Sequence, residues 1–524
     1  MKKQPIKNTP SERPPVVAIV GHIDHGKSTL LDYIRTANVV ASEAGGITQH
    51  LSAYEATHQT AQGPRTITFL DTPGHAAFTA MRSRGLSVAD VAVLVVSAEE
   101  GVKPQTLEAV KLITEAHIPY IVALTKIDKE AANIDRAKNS LLESGIYLEG
   151  MGGEIPYVAV SGKTGAGVPE LLDLILLAAE LEGLSSDASA PAEGVVIEAR
   201  IESKRGASAT LIVKNGTLIS GQYIVAGSAM APVRIMENFL GKTIREAHAG
   251  QPVRIIGFSS LPEVGSTFHA VENKKVAEEE ARQTAQELRT ATLAAKRAAT
   301  QTAIAPEAAA AEPVPGEEEP EIVSLPLVIK TDVAGTGEAV VHELEKIPKT
   351  PRLEVPVVSR SVGAIGEADV KLAGGGEHPG LVVGFNVKVE PAAAQLAERL
   401  GVTIATFDII YRLAEWLGEE LEKRRPRSRL EDTTGTAKIL KVFSATKHKI
   451  VLGGKVETGL LAQNAEVKIM RRDLELGRGT IESLQSKKIP AKTVEAGSEF
   501  GAMVKTDVAV AAGDKIEAFE VVYK

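Results

Sequence analysis

The stretch that decides the fold of the first part of the chain is Gly21-His22-Ile23-Asp24-His25-Gly26-Lys27-Ser28, which fits the pattern GxxxxGK[ST]. It follows the apolar run Val16–Val20, a predicted strand, and precedes a predicted helix over Thr29–Arg35. A glycine-rich turn between strand and helix lets backbone N–H groups converge on phosphate oxygens, and the helix N-terminus adds a favourable dipole. The stretch therefore predicts a phosphate-binding loop, in which Lys27 reaches the β- and γ-phosphates and Ser28 binds Mg²⁺.

Three further polar motifs each follow an apolar run of the chain. They are Asp71-Thr72-Pro73-Gly74-His75 after Ile67–Leu70, Thr125-Lys126-Ile127-Asp128 after Ile118–Leu124, and Ser161-Gly162-Lys163 after Ile155–Val160. Alone, each also fits an ordinary charged or glycine-containing turn. Because parallel α/β sheets bind their ligands at the carboxyl ends of the strands, the four motifs together predict one nucleotide site.

Each of these motifs has the chemistry to contact a different part of the nucleotide. Asp71 suits a carboxylate that holds Mg²⁺, and the Gly74 N–H can meet a γ-phosphate. The Asp128 carboxylate can accept hydrogen bonds from both N1–H and the N2 amino group of guanine, which adenine does not offer. We expect Lys126 to lie along the base and ribose, and Ser161-Gly162-Lys163 to close over the base. The predicted ligand is therefore a guanine nucleotide.

The whole chain divides by its pattern of apolar runs, glycine turns and polar stretches. We expect a tail over 1–15, a P-loop α/β domain over 16–184, a β-barrel over 194–272, a helix and Ala/Pro/Glu-rich linker over 273–321, an α/β module over 322–408, a connecting helix and basic hinge over 409–430, and a C-terminal β-barrel over 433–524. The segment Leu184–Glu193 predicts a linker. Apolar strands alternating with helices are typical of parallel sheets covered on both faces, and short strands between glycine turns are typical of barrels. The predicted fold class is multidomain α/β and β.

Composition excludes several classes of function. The 524 residues contain no cysteine, so disulfides, thiolate zinc, iron–sulfur clusters and cysteine nucleophiles are excluded. The sequence has no apolar run of membrane-spanning length and no secretory signal pattern at its N-terminus, so we expect a cytoplasmic protein with no membrane partner. The net charge is −8, yet residues 433–524 carry 15 Lys and Arg against 11 Asp and Glu, a net charge of +4. An RNA-binding face and a solvated barrel rim explain this local charge equally well.

The motifs resemble those of bacterial translation initiation factor 2, a family of translational GTPases. The resemblance is carried by Gly21–Ser28, Glu43–His50, Asp71–Phe78 and Pro104-Gln105-Thr106, and more loosely by Val382–Val387 and Ile481–Leu484. It implies a P-loop GTPase domain, a β-barrel, a helix, an α/β/α sandwich module, a long helix and a C-terminal β-barrel in that order, with a short N-terminal tail. It also implies a factor that recruits formylmethionyl initiator tRNA to the small ribosomal subunit and promotes subunit joining, with ribosome-stimulated hydrolysis of GTP.

The resemblance implies partners and further residue roles. The partners are GTP or GDP, the initiator tRNA and both ribosomal subunits; the cofactor is Mg²⁺, and the chain is expected to be a monomer. Thr48 would bind Mg²⁺ with Ser28 and Asp71, and His75 would be the catalytic residue that orients the attacking water. Ile23 and Ile47 would form an apolar gate that holds His75 away beforehand. His22 and His25 are expected to be loop or ribosome-facing residues rather than bases. The expected nucleotide contacts are Gly21, His22, Ile23, Asp24, His25, Gly26, Lys27, Ser28, Thr29, Asp71, Thr72, Pro73, Gly74, Thr125, Lys126, Ile127, Asp128, Ser161, Gly162 and Lys163.

The resemblance also places the formylmethionine and acceptor end of initiator tRNA on the C-terminal barrel. Members of the family usually carry asparagine at the position of Thr125, and typically cysteine where this chain has Gly454 and Phe500. We expect the Phe500 ring to pack on the methionyl side chain and Lys455 to meet the terminal phosphate or ribose. The expected tRNA contacts are Gly454, Lys455, Lys487, Lys488, Glu499, Phe500 and Gly501.

Two other functions share the nucleotide motifs. A tRNA-delivering elongation factor is one alternative, although a second barrel placed after an α/β module and a long helix argues against it. A nucleotide-gated assembly scaffold that hardly turns over is the other, and ribosome-stimulated GTP hydrolysis would separate it from an initiation factor.

Overall fold

The computed structural model describes residues 11–35, 48–202, 204–303, 323–348, 352–425, 429–446, 448–472, 474–487 and 489–523. The chain forms two compact units, Met1–Arg424 and Arg425–Lys524. The predicted gate residue Ile47, the predicted tRNA contact Lys488 and most of the predicted Ala/Pro/Glu linker lie outside the described residues. The finer division into domains stays a prediction.

The first sheet of the first unit positions the four nucleotide motifs. Its strands, in spatial order, are Ser52–Thr60, Gly63–Asp71, Val16–Gly21, Val91–Ser97, Tyr120–Thr125 and Tyr157–Ala159. All neighbouring strands are parallel except Ser52–Thr60, an additional edge strand that runs antiparallel to its neighbour. The elements that accompany this sheet are the helices Lys27–Arg35, Thr79–Val88, Pro104–Ala116, Ile134–Glu143 and Val168–Leu181 and the 3-10 turn Ala76–Phe78.

Alternation along the central strands builds two apolar cores, one on each face of this sheet. Val16, Ala18 and Val20 lie in one core, whereas Val17 and Ile19 lie in the other. The strand Val16–Gly21 is consequently buried along its whole length. This burial is why the sequence shows a continuous apolar run there rather than an alternation of apolar and polar residues.

The second sheet of the first unit is antiparallel and has its own apolar core. Its strands, in spatial order, are Ala229–Pro232, Tyr223–Ala226, Thr267–Val271, Glu193–Glu202, Gly206–Asn215, Pro252–Phe258 and Ile235–Asn238, and a separate pair joins Thr217–Ile219 to Glu246–His248. The helix Lys274–Ala303 follows, and its residues Ala277 and Ala281 pack on Val225 of the sheet. The helix is thus anchored by its N-terminal turns to the element that precedes it.

The segment predicted as a linker is held in place. Ser185–Ser186 pairs with Ser11–Glu12 as a short antiparallel strand. The Asp187 N–H donates a hydrogen bond to Asn215 Oδ1 at 3.0 Å, and Ala192 is fully buried. The predicted linker Leu184–Glu193 is therefore an ordered segment, because its residues make turn and strand contacts.

Asp90 ties the start of the chain and the second sheet to the first sheet. Its carboxylate accepts two hydrogen bonds from the Arg13 guanidinium, at 2.7 and 2.8 Å, and one from Lys214 Nζ at 2.7 Å. Burial raises the pKa of Asp90, but the Arg13 hydrogen bond and the Lys214 charge outweigh burial and lower the pKa overall. The carboxyl therefore stabilises the fold in its ionised form.

We expect Asp90→Asn to lower the free energy of unfolding by about 3 kcal/mol at neutral pH, because it leaves two partly buried cations without their counter-charge. Since the pKa of Asp90 is lowered by folding, its contribution is present above the unfolded pKa of about 4 and is lost as pH falls below it. Denaturant unfolding at pH 7 and near pH 3.5 would measure this, with exposed Asp173 changed to Asn as the control. Equal effects of the two substitutions at pH 7 would contradict the assignment.

A third sheet in the first unit is parallel. Its strands, in spatial order, are Val357–Val362, Leu327–Thr331, Leu381–Phe385 and Thr403–Phe407, and Val323–Ser324 pairs separately with Leu353–Glu354. The helices of this part are Thr336–Lys346, Glu367–Ala373, Pro391–Leu400 and Ile410–Lys423. From here on, α/β module means the described residues of 323–424. This range includes the helix Ile410–Lys423, which was predicted as a separate connecting helix.

The core of the α/β module includes side chains from the first sheet's own helices. Ala77, Phe78 and Met81, which follow the motif Asp71–His75, belong to the same apolar cluster as Ile329 and Ile410. The segment after the nucleotide motif is therefore packed into the module.

The second unit is an antiparallel sheet with an apolar core. Its strands are Arg429–Ala445, Lys449–Ala462, Glu466–Arg471, Leu474–Ser486, Ile489–Pro490, Thr493–Glu495, Glu499–Thr506 and Lys515–Tyr523. The first strand pairs with both Lys515–Tyr523 and Lys449–Ala462, which closes the sheet into a barrel. The predicted start of the barrel at residue 433 was wrong, because the first strand begins at Arg429 and residues 429–432 pair with the last strand. Among the helices that the structure describes, none has the length and apolar character to cross a membrane.

Candidate nucleotide site

The four motifs meet at the carboxyl ends of the first sheet's strands, around a cavity of about 340 Å³. The residues that line it are Ile23, Asp24, Gly26, Lys27, Ser28, Thr29, Thr48, Gly74, His75, Thr125, Lys126, Asp128, Lys129, Gly162 and Lys163. Lys129 is the one addition to the predicted set, and its position directly after Asp128 was the available signal. The predicted contacts outside this lining are Gly21, His22, His25, Asp71, Thr72, Pro73, Ile127 and Ser161.

Lys27 is buried in the phosphate loop and is held by the loop's own carbonyls. Its Nζ donates hydrogen bonds to the carbonyl oxygens of Gly21 at 2.9 Å and His22 at 2.7 Å. Burial lowers the pKa of Lys27 to about 8, although the carboxylate of Asp71 works in the opposite direction. A phosphate in the cavity would supply the negative charge that this buried ammonium lacks.

Ser28 and Thr48 bring two hydroxyls to the cavity, and the Asp71 carboxylate accepts a hydrogen bond from Thr48 outside the lining. Ser28 Oγ and Thr48 Oγ1 lie 3.1 Å apart, and Thr48 Oγ1 donates to Asp71 Oδ2 at 3.3 Å. Two hydroxyls and a carboxylate within hydrogen-bond reach of one another form the donor set that Mg²⁺ prefers. The residues present therefore fit that ion.

His75 is 8% exposed, and hydrogen bonding fixes its ring orientation. Its Nδ1 accepts a hydrogen bond from the Ala77 N–H at 2.9 Å. Burial lowers the pKa of His75, so the ring is neutral at neutral pH. Because Nδ1 accepts in this neutral ring, Nε2 carries the proton and can donate to a water oxygen.

The nearer of two aromatic partners of His75 is Tyr411, which comes from the α/β module. The Tyr411 ring meets the His75 ring edge-on, with centroids 4.2 Å apart. The predicted gate residue Ile23 lines the cavity, and Ile47 lies outside the described residues. Sequence reasoning missed Tyr411, because no local pattern links it to a motif so distant in the sequence.

The residue after Thr48 is also fastened to the α/β module. Gln49 is buried; its Nε2 donates to the Asp408 carbonyl oxygen at 2.8 Å, and its Oε1 accepts from the Ile410 N–H at 3.3 Å. The helix Ile410–Lys423 has no side-chain cap of its own at Ile409. Gln49 therefore satisfies an N–H at the start of that helix from a distant part of the chain.

The base side of the cavity is built by the two later motifs. Ser161 Oγ donates to Asp128 Oδ1 at 2.7 Å, and this hydrogen bond lowers the pKa of the Asp128 carboxyl. Thr125 Oγ1 donates to the His25 carbonyl oxygen at 2.5 Å. Threonine thus joins the base motif to the phosphate loop through its hydroxyl, at the position where the resembled family usually has asparagine. Lys126 Nζ lies 3.3 Å from a Glu99 carboxylate oxygen.

His25 lies in the loop between the strand Val16–Gly21 and the helix Lys27–Arg35, as expected, but its side chain is fully buried, which does not fit the alternative of a ribosome-facing residue. Its Nδ1 accepts a hydrogen bond from the Ser97 N–H at 3.2 Å, and its ring lies edge-on to that of His22 at 4.8 Å. Burial lowers the pKa of His25 to about 4, so the ring is neutral. The carboxyl end of the strand Val91–Ser97 covers it, which the spacing of the motif could not indicate.

A second cavity, of about 760 Å³, lies on the barrel of the second unit. Five of the expected tRNA contacts line it, namely Gly454, Lys487, Glu499, Phe500 and Gly501, whereas Lys455 does not and Lys488 lies outside the described residues. Phe500 is 4% exposed and belongs to the barrel core. A Cβ on Gly454 would lie 2.8 Å from the Phe500 ring, so glycine at 454 leaves the ring its space. Because Phe500 belongs to the core and also lines the cavity, the expectation that its ring packs on a ligand stays a prediction.

The exposed apolar side chains of this second cavity are Leu440, Phe443 and Val451. Phe443 is 64% exposed, and Lys441 Nζ stands 5.6 Å from the centroid of its ring. In the strand Arg429–Ala445, Ala437 and Ile439 point into the core, so alternation places Leu440 outside. An apolar residue on the outward face was the signal that sequence reasoning missed.

Comparisons with known proteins cover most of the chain. Family models match as follows: Elongation factor Tu GTP binding domain over residues 12–180, Elongation factor G domain 2 over 191–271, and Translation-initiation factor 2 over 304–417. A protein of Rubrobacter xylanophilus named translation initiation factor IF-2 is 42% identical over 511 residues, which are 98% of this chain and 72% of that protein.

Two solved structures are also similar. GDP-bound aIF5B from Aeropyrum pernix is 26% identical with a TM-score of 0.46, covering 97% of this chain and 92% of that one. A bacterial selenocysteine-specific elongation factor, EF-Sec, is 25% identical with a TM-score of 0.40, covering 49% of this chain and 45% of that one.

Proposed function

Because the chain belongs to the translation initiation factor IF-2 family and is a translational GTPase, we propose that it recruits formylmethionyl initiator tRNA to the small ribosomal subunit and promotes subunit joining. Its partners would be GTP or GDP, the initiator tRNA and both ribosomal subunits. It would work as a monomer in the cytoplasm, where ribosomes initiate.

The proposed hydrolysis uses positioning and electrostatics rather than covalent catalysis. Lys27 and the N–H of Gly74 bind the γ-phosphate, and the Nε2–H of neutral His75 orients the attacking water. Ser28, Thr48 and Asp71 would hold Mg²⁺, which offsets negative charge on the phosphates when it is bound. Asp128, with Ser161 behind it, selects guanine.

The observation that carries the tRNA part of the proposal is the second cavity. Leu440 and Phe443 offer an apolar wall for a methionyl side chain, while Lys441 and Lys487 bring positive charge to the same cavity. Formylation replaces the charged amino group of methionyl-tRNA by a neutral amide. Because a charged group is costlier to place against an apolar wall than a neutral amide, such a cavity favours the formylated ligand.

We expect residues 425–524, a compact unit with its own core, to bind formylmethionyl-tRNA at least about fivefold more tightly than unformylated methionyl-tRNA, as the cost of burying a charge suggests. Binding should weaken as salt is raised, because lysines meet phosphates. Phe443→Ala should remove most of the preference. Protection of the ester from hydrolysis, measured for both tRNAs, is the readout.

Leu474→Ala is the matched control, because Leu474 is an equally exposed apolar residue outside the cavity lining. Phe500→Ala is unsuitable as a probe of contact, since removal of a core phenylalanine costs about 3–5 kcal/mol of stability by itself. Equal binding of the two tRNAs would contradict the proposed tRNA site.

A further inference from the structure

Arg82 is a buried cation that neither the motifs nor the family resemblance singled out. It lies on the helix Thr79–Val88, its side chain is 1% exposed, and it is among the largest fully buried side chains described. Its guanidinium donates to the carbonyl oxygens of Pro73 at 3.1 Å and His75 at 2.6 Å. Both acceptors flank Gly74. Arg82 therefore holds the turn that presents Gly74 and His75 to the nucleotide cavity.

The second terminal nitrogen of the Arg82 guanidinium is also hydrogen-bonded. It donates to Thr79 Oγ1 at 3.0 Å and to Glu108 Oε1 at 2.6 Å. Glu108 lies on the neighbouring helix Pro104–Ala116. A buried charge persists only when it is paired and hydrogen-bonded, and the planar fork of arginine can serve several acceptors at once.

The bond to Pro73 fixes the direction of the Gly74 N–H. The Pro73 carbonyl and the Gly74 N–H belong to one planar trans peptide and therefore point in opposite directions. Arg82 takes the oxygen, so the N–H points away from Arg82. Gly74 itself lies against the phosphate loop, because a Cβ there would stand 2.5 Å from Lys27 Nζ and 3.2 Å from the Ile23 nitrogen.

The bond to the His75 carbonyl fixes the backbone from which the histidine ring projects. The ring is then oriented by the hydrogen bond from the Ala77 N–H to Nδ1. Two constraints, one on the main chain and one on the imidazole, thus set where Nε2 lies. Neither Gly74 nor His75 could turn without breaking a bond to Arg82.

We propose that Arg82 is a positioning residue for GTP hydrolysis, which orients the Gly74 N–H toward the γ-phosphate and fixes the ring of His75. This inference rests on the proposed nucleotide site. A merely structural arginine would affect GDP and GTP alike, since both nucleotides share the α- and β-phosphates and the base. A positioning residue for the γ-phosphate affects only the triphosphate and its hydrolysis.

The test is Arg82→Met in the full chain, with affinities for GDP and for a non-hydrolysable imido analogue of GTP, and with ribosome-stimulated hydrolysis. We expect GDP affinity within about twofold of wild type and analogue affinity about tenfold lower, the size typical of a lost hydrogen bond to a charged group. The kcat should fall about 100-fold, while the ribosome concentration for half-maximal rate stays unchanged.

Arg84→Met is the matched control. It removes the same residue type from the same helix, but Arg84 pairs with Glu338 of the α/β module instead of the Gly74 turn. It should leave the ratio of GDP to analogue affinity and the kcat as in wild type. Should Arg82→Met fail to fold, Arg82→Lys keeps the charge but offers a single point donor, and the same split between the nucleotides is expected.

Equal losses of GDP and analogue affinity in the variant that folds, or wild-type hydrolysis, would overturn the role of Arg82. The Lys27→Ala variant separates this failure from failure of the site. If Lys27→Ala loses both nucleotides while the Arg82 variant loses neither, only the role of Arg82 is wrong. If Lys27→Ala binds both as wild type does, the nucleotide site itself is wrong.

Discussion

His75→Ala is expected to keep GTP affinity within about threefold of wild type while ribosome-stimulated hydrolysis falls about 10³-fold, the scale of losing a preorganised donor in a phosphoryl-transfer site. The ring is neutral, buried and held by Ala77, so it contributes a directed N–H rather than a charge pair to phosphate. Lys27→Ala should lose nucleotide binding itself, because the ammonium at the base of the phosphate loop is removed. Equilibrium binding of a fluorescent guanine nucleotide and single-turnover hydrolysis, with and without ribosomes, measure the two effects separately.

The control for His75→Ala is His117→Ala, which changes an exposed histidine of the same unit outside the cavity lining. It should leave both binding and hydrolysis unchanged. Equal loss of GTP affinity in the His75 and Lys27 variants would refute the division of roles between them. A wild-type chain that binds GTP but shows no ribosome stimulation would favour the nucleotide-gated scaffold instead.

Asp128→Asn is expected to lower GTP affinity by at least about 100-fold and to make xanthosine triphosphate the preferred nucleotide, since sites built on substrate hydrogen bonds reject mismatched analogues strongly. Ser161 Oγ donates to Asp128 Oδ1. In the variant this hydroxyl should select the amide oxygen, which turns the NH₂ group toward the base. The C2 carbonyl of xanthine can accept from that group, whereas the C2 amino group of guanine cannot.

Competition of GTP, xanthosine triphosphate and ATP against a labelled nucleotide measures this preference. Glu130→Gln neutralises a carboxylate two residues further on, outside the cavity lining, and should change no preference. Wild-type binding of ATP as tight as that of GTP would show that Asp128 does not read guanine.

The nucleotide cavity could be predicted from sequence because its parts are local patterns at strand ends. Lys27, Asp71 and Asp128 each lie at or shortly beyond the carboxyl end of a strand, so the order of strands in a parallel sheet brings them together. The contacts of Tyr411 and Gln49 could not be predicted, because packing of the α/β module brings together residues that are far apart in sequence. The same holds for Asp90, whose partners Arg13 and Lys214 follow no shared pattern.

The burial of single residues could not be predicted from residue type alone. His25 and Phe500 carry side chains suited to contact with a ligand, yet both lie in the interior. A histidine in a loop and a phenylalanine near a glycine pair give no indication of which strand will cover them. Arg82 is the converse case, since an arginine in a helix is expected to be a solvated charge, whereas the tertiary fold buries this one.

The apolar cluster that Ala77, Phe78 and Met81 share with Ile329 and Ile410 joins the segment after the nucleotide motif to the α/β module. These side chains cannot change their packing for a γ-phosphate without altering the free energy of the cluster around Ile410. By thermodynamic linkage, if GTP binds one arrangement of the module more tightly than another, a partner that prefers either arrangement changes the affinity for GTP by the same factor that GTP changes the affinity for the partner. We therefore expect a measured change in the affinity for guanine nucleotide to report that a partner has bound to the module.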